Sequence, residues 1–376
     1  MNVILMYGGK SGEHEISLVS CSAIARNIST NHKVTLISVS KDGKWYLESN
    51  DQLKELKANP SSVLKVHEVE ENLVSIMPCC GKNKVFYANG KPIECDVVFP
   101  VMHGTYSEDG TIQGLFEMAG IPYVGCQTLS SAMTMDKEIT KILLKEAGIP
   151  IVPYVCLTRS DINNSKKYDE LVKGAVEKLK FPLFVKPCCA GSSDGANKAT
   201  NERELSYALM EAFSWDNKVL IEKAIDAREV ECSVTGNSIM QDESKNYTLL
   251  NAYGPGEIVP KHTFYDYDAK YNDPDGAELK IPANLSGDKI SEIKEIAKKA
   301  YKAVNASGLS RVDFFIDRNT DEFYLNEINT MPGFTSISMF PKLCGSEGLN
   351  FTSLIDLLLD EALQAYEVKN SLCTSR

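Results

Sequence analysis

The sequence predicts an α/β fold, α+β in parts, that opens with a doubly wound parallel sheet and continues into two further domains. Three observations carry this reading. The N-terminal third alternates short apolar runs with helical periodicity, the pattern of strands buried on both faces and joined by crossover helices. A chain of 376 residues is long for one core. The C-terminal third carries an alternating strand–turn–strand pattern, which belongs to an antiparallel sheet.

The elements follow in order. "NVILMY" (2–7) reads as a buried parallel strand, and Ile16, Val19, Ala23, Ile24 and Ile28 recur at helical spacing. "KVTLISVS" (33–40) and "CDVVFPVMHG" (95–104) repeat the strand signal. Ligands of such a sheet gather at the carboxyl ends of its strands, here residues 8–15 and 103–110. Residues 46–94 read as an elaboration with hairpins and carry no evident chemistry. "AMTMDKEITKILLKEAGIP" (132–150) reads as one helix closed by Gly148 and Pro150. "FPLFVKP" and "KVLIEKAI" are strands of a middle domain. A third region has a long aromatic loop (253–274), a helix over 291–304, the hairpin, and a closing helix from 351 to about 366. Three domains are expected: 1–126, 127–221, and 222–376 with the loop 253–274 as a lid.

Composition narrows the function. Apolar residues make up 43% and charged residues 24%, ordinary for a globular protein. No apolar run reaches the ~18 residues of a membrane span. The opening "MNVILMYGGK" lacks the basic region of a secretory signal. Eleven cysteines, an odd number, read as reduced thiols. A cytoplasmic location is expected. A net charge of −11 argues against nucleic acid and anionic membranes as partners. A phosphate-bearing ligand must then be held by local lysines, arginines and backbone N–H groups.

The hairpin carries the clearest chemistry. "SRVDFFID" and "EFYLNEIN" flank the turn-forming "RNTD". A turn centred there sets Asp313 opposite Glu327, and Asn329 shares the face of Glu327 because side chains alternate. Two opposed carboxylates repel unless a cation lies between them, and burial raises the cost. Two carboxylates and an amide oxygen suit Mg²⁺ held together with substrate phosphates; the competing reading is an exposed strand with solvated charges. Arg311 falls on the same face, either to neutralise a developing charge or as a structural ion pair.

"KPCCAGSSDG" (186–195) follows a strand and is built of small residues. Gly191 and Gly195 give backbone freedom, and small side chains let N–H groups approach phosphate oxygens. Lys186 adds a point charge. Cys188 and Cys189 are adjacent and no C-x-x-C occurs, so they read as small wall residues and the stretch as a phosphate loop. "GGKS" (8–11) fails as a Walker A loop because Ile4 stands where its first glycine belongs. The loop 253–274 reads either as an active-site lid or as a self-packed Ω-loop; Lys270 and Tyr271 lie near its end. Taken alone, His103 reads as a satisfied buried histidine, Glu13 as a first-turn helix residue, and Lys137 as a solvated lysine.

Seven blocks in order, "GGKSGEHEISL", "HGTYSEDGTIQG", "VGCQTLSSAMTMDK", "KPCCAGSSDG", "TFYDYDAKY", "RVDFFID" and "LNEINTMPGFTSISMFP", resemble the D-alanine–D-alanine ligases of the ATP-grasp fold across nearly the whole chain. The resemblance implies a three-domain ATP-grasp enzyme that uses ATP and two Mg²⁺ (or Mn²⁺) to join two D-alanines through an acyl phosphate, for peptidoglycan precursors. By the same resemblance, Lys137, Lys186 and Lys270 would contact ATP phosphates, and Ser193 would join the nucleotide site. Glu222, Lys223, Ile225 and Glu229 would surround adenine and ribose. Asp313, Glu327 and Asn329 would hold the metals. Glu13, linked through Ser192 to Tyr271, would hold the first D-alanine, with His103 beside it. Arg311 and the N–H of Gly333 would stabilise the oxyanion, and Ser338 and Met339 would face the second D-alanine. A homodimer is implied as well.

The chain departs from the family pattern at Ala190, where an acidic residue is usual, and at Asp194, where valine or phenylalanine is. Ser107 and Ile337 stand where glycine and histidine are common. Two alternatives follow: a D-alanine–D-serine ligase of the vancomycin-resistance type, which usually carries arginine where Met339 stands, and a catalytically impaired nucleotide-binding regulator. Lactate ligases lack the "AKY" ending that residues 269–271 keep.

Overall fold

The computed structural model describes residues 1–260, 277–335 and 337–373. The first sheet holds β1 (Asn2–Gly8), β2 (Lys33–Val39), β3 (Trp45–Leu47) and, later in the chain, β7 (Val97–Val101) in the order β3-β2-β1-β7. β1 runs parallel to both β2 and β7, while the short β3 lies antiparallel on the edge. Helix His14–Asn27 and the last helix, Phe351–Asn370, cover one face with Ile24, Leu354, Ile355 and Leu358. Helix Thr111–Ala119 covers the other with Ile112 and Phe116. The 46–94 elaboration contains a three-stranded antiparallel sheet of β4 (Val74–Ile76), β5 (Phe86–Ala88) and β6 (Lys91–Ile93).

The second sheet, order β10-β9-β11-β8, is antiparallel: β8 (Tyr154–Thr158), β9 (Leu183–Pro187), β10 (Asn197–Ala199) and β11 (Lys218–Lys223). Its core is made with helices Ser165–Leu179 and Glu202–Trp215. The third sheet, order β14-β13-β12-β15-β16, comprises β12 (Ala227–Asn237), β13 (Asn251–Pro260), β14 (Ala277–Lys280), β15 (Ser307–Asp317) and β16 (Phe323–Asn329). Helix Gly287–Ala303 packs on it through Ile293, Ala297, Ala300 and Tyr301.

Two expectations are corrected. The run 132–150 is not one helix but two, Thr128–Met135 and Lys137–Glu146. Asp136 adopts an extended backbone between them, and its carboxylate accepts from the N–H groups of Glu138 and Ile139. A carboxylate cap of this kind begins a helix, so it interrupts an apolar period that otherwise runs through. Residues 253–260 of the expected loop belong to β13, paired with β12 and β14. Lys270 and Tyr271, in the rest of that loop, lie outside the described residues.

Candidate active site

The β15–β16 hairpin pairs Asp313 with Glu327 and Arg311 with Asn329, with a register shift between Asp313 and Phe314. Apolar Val312, Phe314, Ile316, Leu325 and Ile328 turn inward to the core, so the polar residues take the opposite face. Nε and Nη2 of Arg311 donate to the two oxygens of Asp313, each at 2.7 Å, and Nε lies 3.1 Å from Glu231 on the neighbouring β12. Burial alone would lower the Arg311 pKa. Asp313 and Glu231 override it and hold the guanidinium well above its ordinary value. Arg311 is thus ion-paired, as the second reading expected, and it also lines the cleft.

The amide nitrogen of Asn329 donates to Asp313 at 2.9 Å, which turns its carbonyl oxygen away from that carboxylate. Glu327 lies 3.9 Å from Nζ of Lys137. Two carboxylates and an amide oxygen on one face fit a hard divalent cation. Among the described residues there is no group of three or more His, Cys, Asp or Glu suited to a metal. A cation here would therefore take its remaining ligands from phosphate oxygens and water, as Mg²⁺ commonly does.

The phosphate-loop candidate leaves β9 at Pro187. Ser192 and Ser193 both have positive φ, 48° and 64°. Such left-handed residues beside ordinary ones form concave backbone turns that cradle anions. Lys137, the first residue of its helix, donates from Nζ to the carbonyl of Ala190 at 2.7 Å, so it sits over the loop and is not a solvated lysine. Gly195 is tied down from below, since a Cβ there would meet Trp215 Cδ1 at 2.5 Å. Cys188 is buried and Cys189 half-buried; hydrogen bonding with Cys156 and burial raise the first thiol, and burial pushes the second up to about 12. Both are protonated wall residues at neutral pH.

Glu13 stands at the N-cap of helix His14–Asn27 and accepts a hydrogen bond from Ser192. Its other oxygen is walled in: a Cβ on Gly104 would lie 2.8 Å from it and one on Gly191 3.0 Å. Asp194 stands beside Gly12, and burial, then Glu13, raises its pKa. His103 is buried, with Nδ1 2.9 Å from the carbonyl of Met331 and Nε2 3.0 Å from Ser20 Oγ. Glu13, His103, Glu108, Ser192, Arg311 and Gly333 line one cleft together with Glu327 and Asn329.

Behind the loop, Glu222 is fully buried between two lysines. Lys141 Nζ lies 2.7 Å from one oxygen and Lys186 Nζ 2.9 Å from the other. Burial pushes the carboxyl pKa up, but the two ammoniums outweigh it and lower it overall. Lys186 also donates to Asn326 at 3.1 Å. Lys223 ends β11, Ile225 lies in the connection and Glu229 is on β12, with Lys223 exposed and the other two half-buried.

Ser338 Oγ accepts from the N–H of Thr335 at 3.0 Å and packs against Gly333, where a Cβ would meet it at 2.8 Å. Met339 is buried with Ile258 and Leu343 and is not among the residues lining the cleft. Sequence reasoning missed Lys141, Glu108, Glu231 and Ser20. Lys141 left a signal, since it shares a helical face with Lys137 and Leu144, and a lysine on the apolar side of a helix needs a buried partner. The other three left none.

Comparison with known proteins shows the family. The family model described as D-ala D-ala ligase N-terminus matches residues 2–126, and the one described as D-ala D-ala ligase C-terminus matches 143–360. A D-alanine–D-alanine ligase of Treponema denticola is 49% identical over the full length of both chains. One of Acetivibrio thermocellus is 44% identical, covering 97% of this chain and 96% of its own. Among solved structures, the D-alanine–D-alanine ligase from Coxiella burnetii superposes with a TM-score of 0.81 at 32% identity, covering 98% of this chain and 96% of its own. The VanG D-Ala:D-Ser ligase from Enterococcus faecalis gives 0.77 at 35%, covering 97% and 99%.

Proposed function

The chain belongs to the D-alanine–D-alanine ligase family, with its ATP-grasp fold, and from that premise we propose that it joins two D-alanines at the cleft between Glu13 and the β15–β16 hairpin. The observation that carries this is the Glu13–Ser192 hydrogen bond, which links the N-cap of helix His14–Asn27 to the phosphate loop in the cleft that Arg311 also lines.

Glu13, fixed by Ser192 and walled by two glycines, offers a carboxylate for the ammonium of the first D-alanine. Lys137 and Lys186 meet the ATP phosphates over the loop containing Ser193, and Glu222, Lys223, Ile225 and Glu229 border the base and ribose. The first D-alanine carboxylate attacks the γ-phosphate and displaces ADP; the neutral amine of the second then attacks the acyl carbon of the acyl phosphate, and inorganic phosphate leaves as the nitrogen gives up its proton. Asp313, Glu327 and Asn329 would hold Mg²⁺, two ions in the full reading, which would supply charge neutralisation at the phosphates. Arg311, immobilised by Asp313 and Glu231, presents its guanidinium without reorganisation to the oxyanion, beside the N–H of Gly333. Ser338 stands next to Gly333 at the second D-alanine, with Met339 supporting it from the core. The family resemblance would assign Lys270 to the ATP phosphates and Tyr271 to the first substrate; both lie outside the described residues. The product feeds peptidoglycan precursors in the cytoplasm; no described helix is long and apolar enough to cross a membrane.

The test is ATP- and Mg²⁺-dependent phosphate release with D-alanine alone and with D-serine or D-lactate added, products identified by mass. D-alanyl-D-alanine alone supports the proposal. A dominant mixed dipeptide with D-serine moves the chain to the specificity of the VanG-type structure. Nucleotide binding without dipeptide makes it a regulator. The homodimer, a further part of the proposal, is read by light scattering.

A further inference from the structure

Ser20 lies on helix His14–Asn27, is completely buried, and has no place in the chemistry described so far. Its hydroxyl oxygen is 3.0 Å from His103 Nε2 and accepts from the backbone N–H of Phe334 at 3.2 Å. The other ring nitrogen, Nδ1, is 2.9 Å from the carbonyl oxygen of Met331. A carbonyl can only accept, so Nδ1 carries a proton. In the neutral ring Nε2 is then the acceptor, and the Ser20 hydroxyl is its donor. The chain of bonds runs from Phe334 N–H to Ser20, from Ser20 to Nε2, and from Nδ1–H to Met331. Glu108 stands 3.7 Å from Nδ1, beyond direct hydrogen bonding.

Met331 and Phe334 bracket Pro332 and Gly333, and both bracketed residues line the cleft. Ser20 and His103 belong to the first sheet and its helix, whereas 331–334 follows the last strand of the third sheet. Phe334 is further fixed by edge contact with Phe99 of β7 at 5.8 Å. We propose that Ser20 is a positioning residue: with His103 it grips both ends of Pro332–Gly333 and sets the Gly333 N–H at the reacting centre. This rests on the ligase reading above. It also gives His103 a holding role in place of substrate contact, because both its nitrogens are spent.

The experiment compares Ser20→Ala with Ser22→Ala, a buried serine on the same helix whose hydroxyl bonds to Leu18 and Leu64 away from the cleft. Small misplacement of a reacting group costs up to about 100-fold in rate. Ser20→Ala is expected to lower kcat ~10- to 100-fold with the KM for ATP within about twofold, whereas Ser22→Ala keeps kcat. Nitrogen NMR of the wild-type ring should show His103 protonated at Nδ1 and accepting at Nε2, and Ser20→Ala should shift Nε2 alone. Unchanged kcat in Ser20→Ala, an equal kcat loss in Ser22→Ala, or a wild-type ring protonated at Nε2 and not at Nδ1 overturns the proposal. If Ser20→Ala fails to fold, the wild-type ring spectrum decides. A wild type that makes no dipeptide fails the ligase reading instead, while the ring spectrum still reports on the clamp.

Discussion

Removing Glu222 should harm the fold far more than removing Lys141, although the two form one ion pair. Glu222, Lys141 and Lys186 together carry one net positive charge, and all three side chains are under one-tenth exposed. The ammoniums sit 2.7 and 2.9 Å from opposite oxygens of one carboxylate, so they are no more than ~8 Å apart. At an effective dielectric of ~20, two like charges at that range repel by ~2 kcal/mol. Glu222→Gln deletes the anion and leaves that repulsion bare, for a total of about 3–5 kcal/mol, the usual cost of breaking a buried pair. Lys141→Met, close in volume, loses one pairing but relieves the same repulsion, so it should cost only about 1–2 kcal/mol. Urea unfolding of both variants without nucleotide measures the difference. Burial already lowers Lys141, so Glu222→Gln should also gain stability as pH rises above neutrality, because the folded chain then binds fewer protons than the unfolded one. If Lys141→Met costs as much as Glu222→Gln, the three-charge reasoning fails.

Other consequences can be checked directly. Gly191→Ala places a methyl 3.0 Å from the Glu13 carboxylate, so the KM for D-alanine should rise ~10-fold or more while ATP binding, read by calorimetry, changes little. Asn329→Ala and Glu327→Gln should raise the Mg²⁺ concentration for half-maximal activity by about tenfold or more, and chelator should abolish activity. Glu361 is fully buried against Asn237, and burial pushes its pKa up to about 7. A carboxyl raised in the folded state stabilises below its ordinary pKa and loses that contribution as pH climbs through about 7, at most ~3 kcal/mol. Thermal melts from pH 5 to 8.5 should show this fall in the wild type and a flatter profile in Glu361→Gln.

Much of the site was legible because a hairpin is a local object. "RNTD" fixes the turn, alternation fixes the faces, and the pairing of Asp313 with Glu327 follows. The register shift beyond Asp313 was not legible, since a bulge depends on how the sheet must curve over its core. Asp136 hid a helix boundary inside a continuous apolar period, and only its cap geometry reveals that Lys137 begins a new helix. The strand β13 at the start of the aromatic loop was hidden by glycine and proline, which sheet neighbours on both sides override. Ser20 and Glu231 could not be found at all. Their roles come from segments hundreds or tens of residues away, and a lone serine in an apolar helix or a glutamate in a strand carries no trace of such partners.

The helix Phe351–Asn370 packs on the first sheet, sharing a core with β1, β2 and β7. The part of the chain made first therefore waits for the part made last. At about 5–20 residues per second, the ribosome finishes β7 some tens of seconds before this helix exists. Meanwhile Val3, Leu5, Leu36 and Phe99 lack the side chains that close their layer. Assembly of this molecule is consequently a matter for the finished polypeptide, and the nascent N-terminal sheet is the segment a chaperone would have most reason to hold.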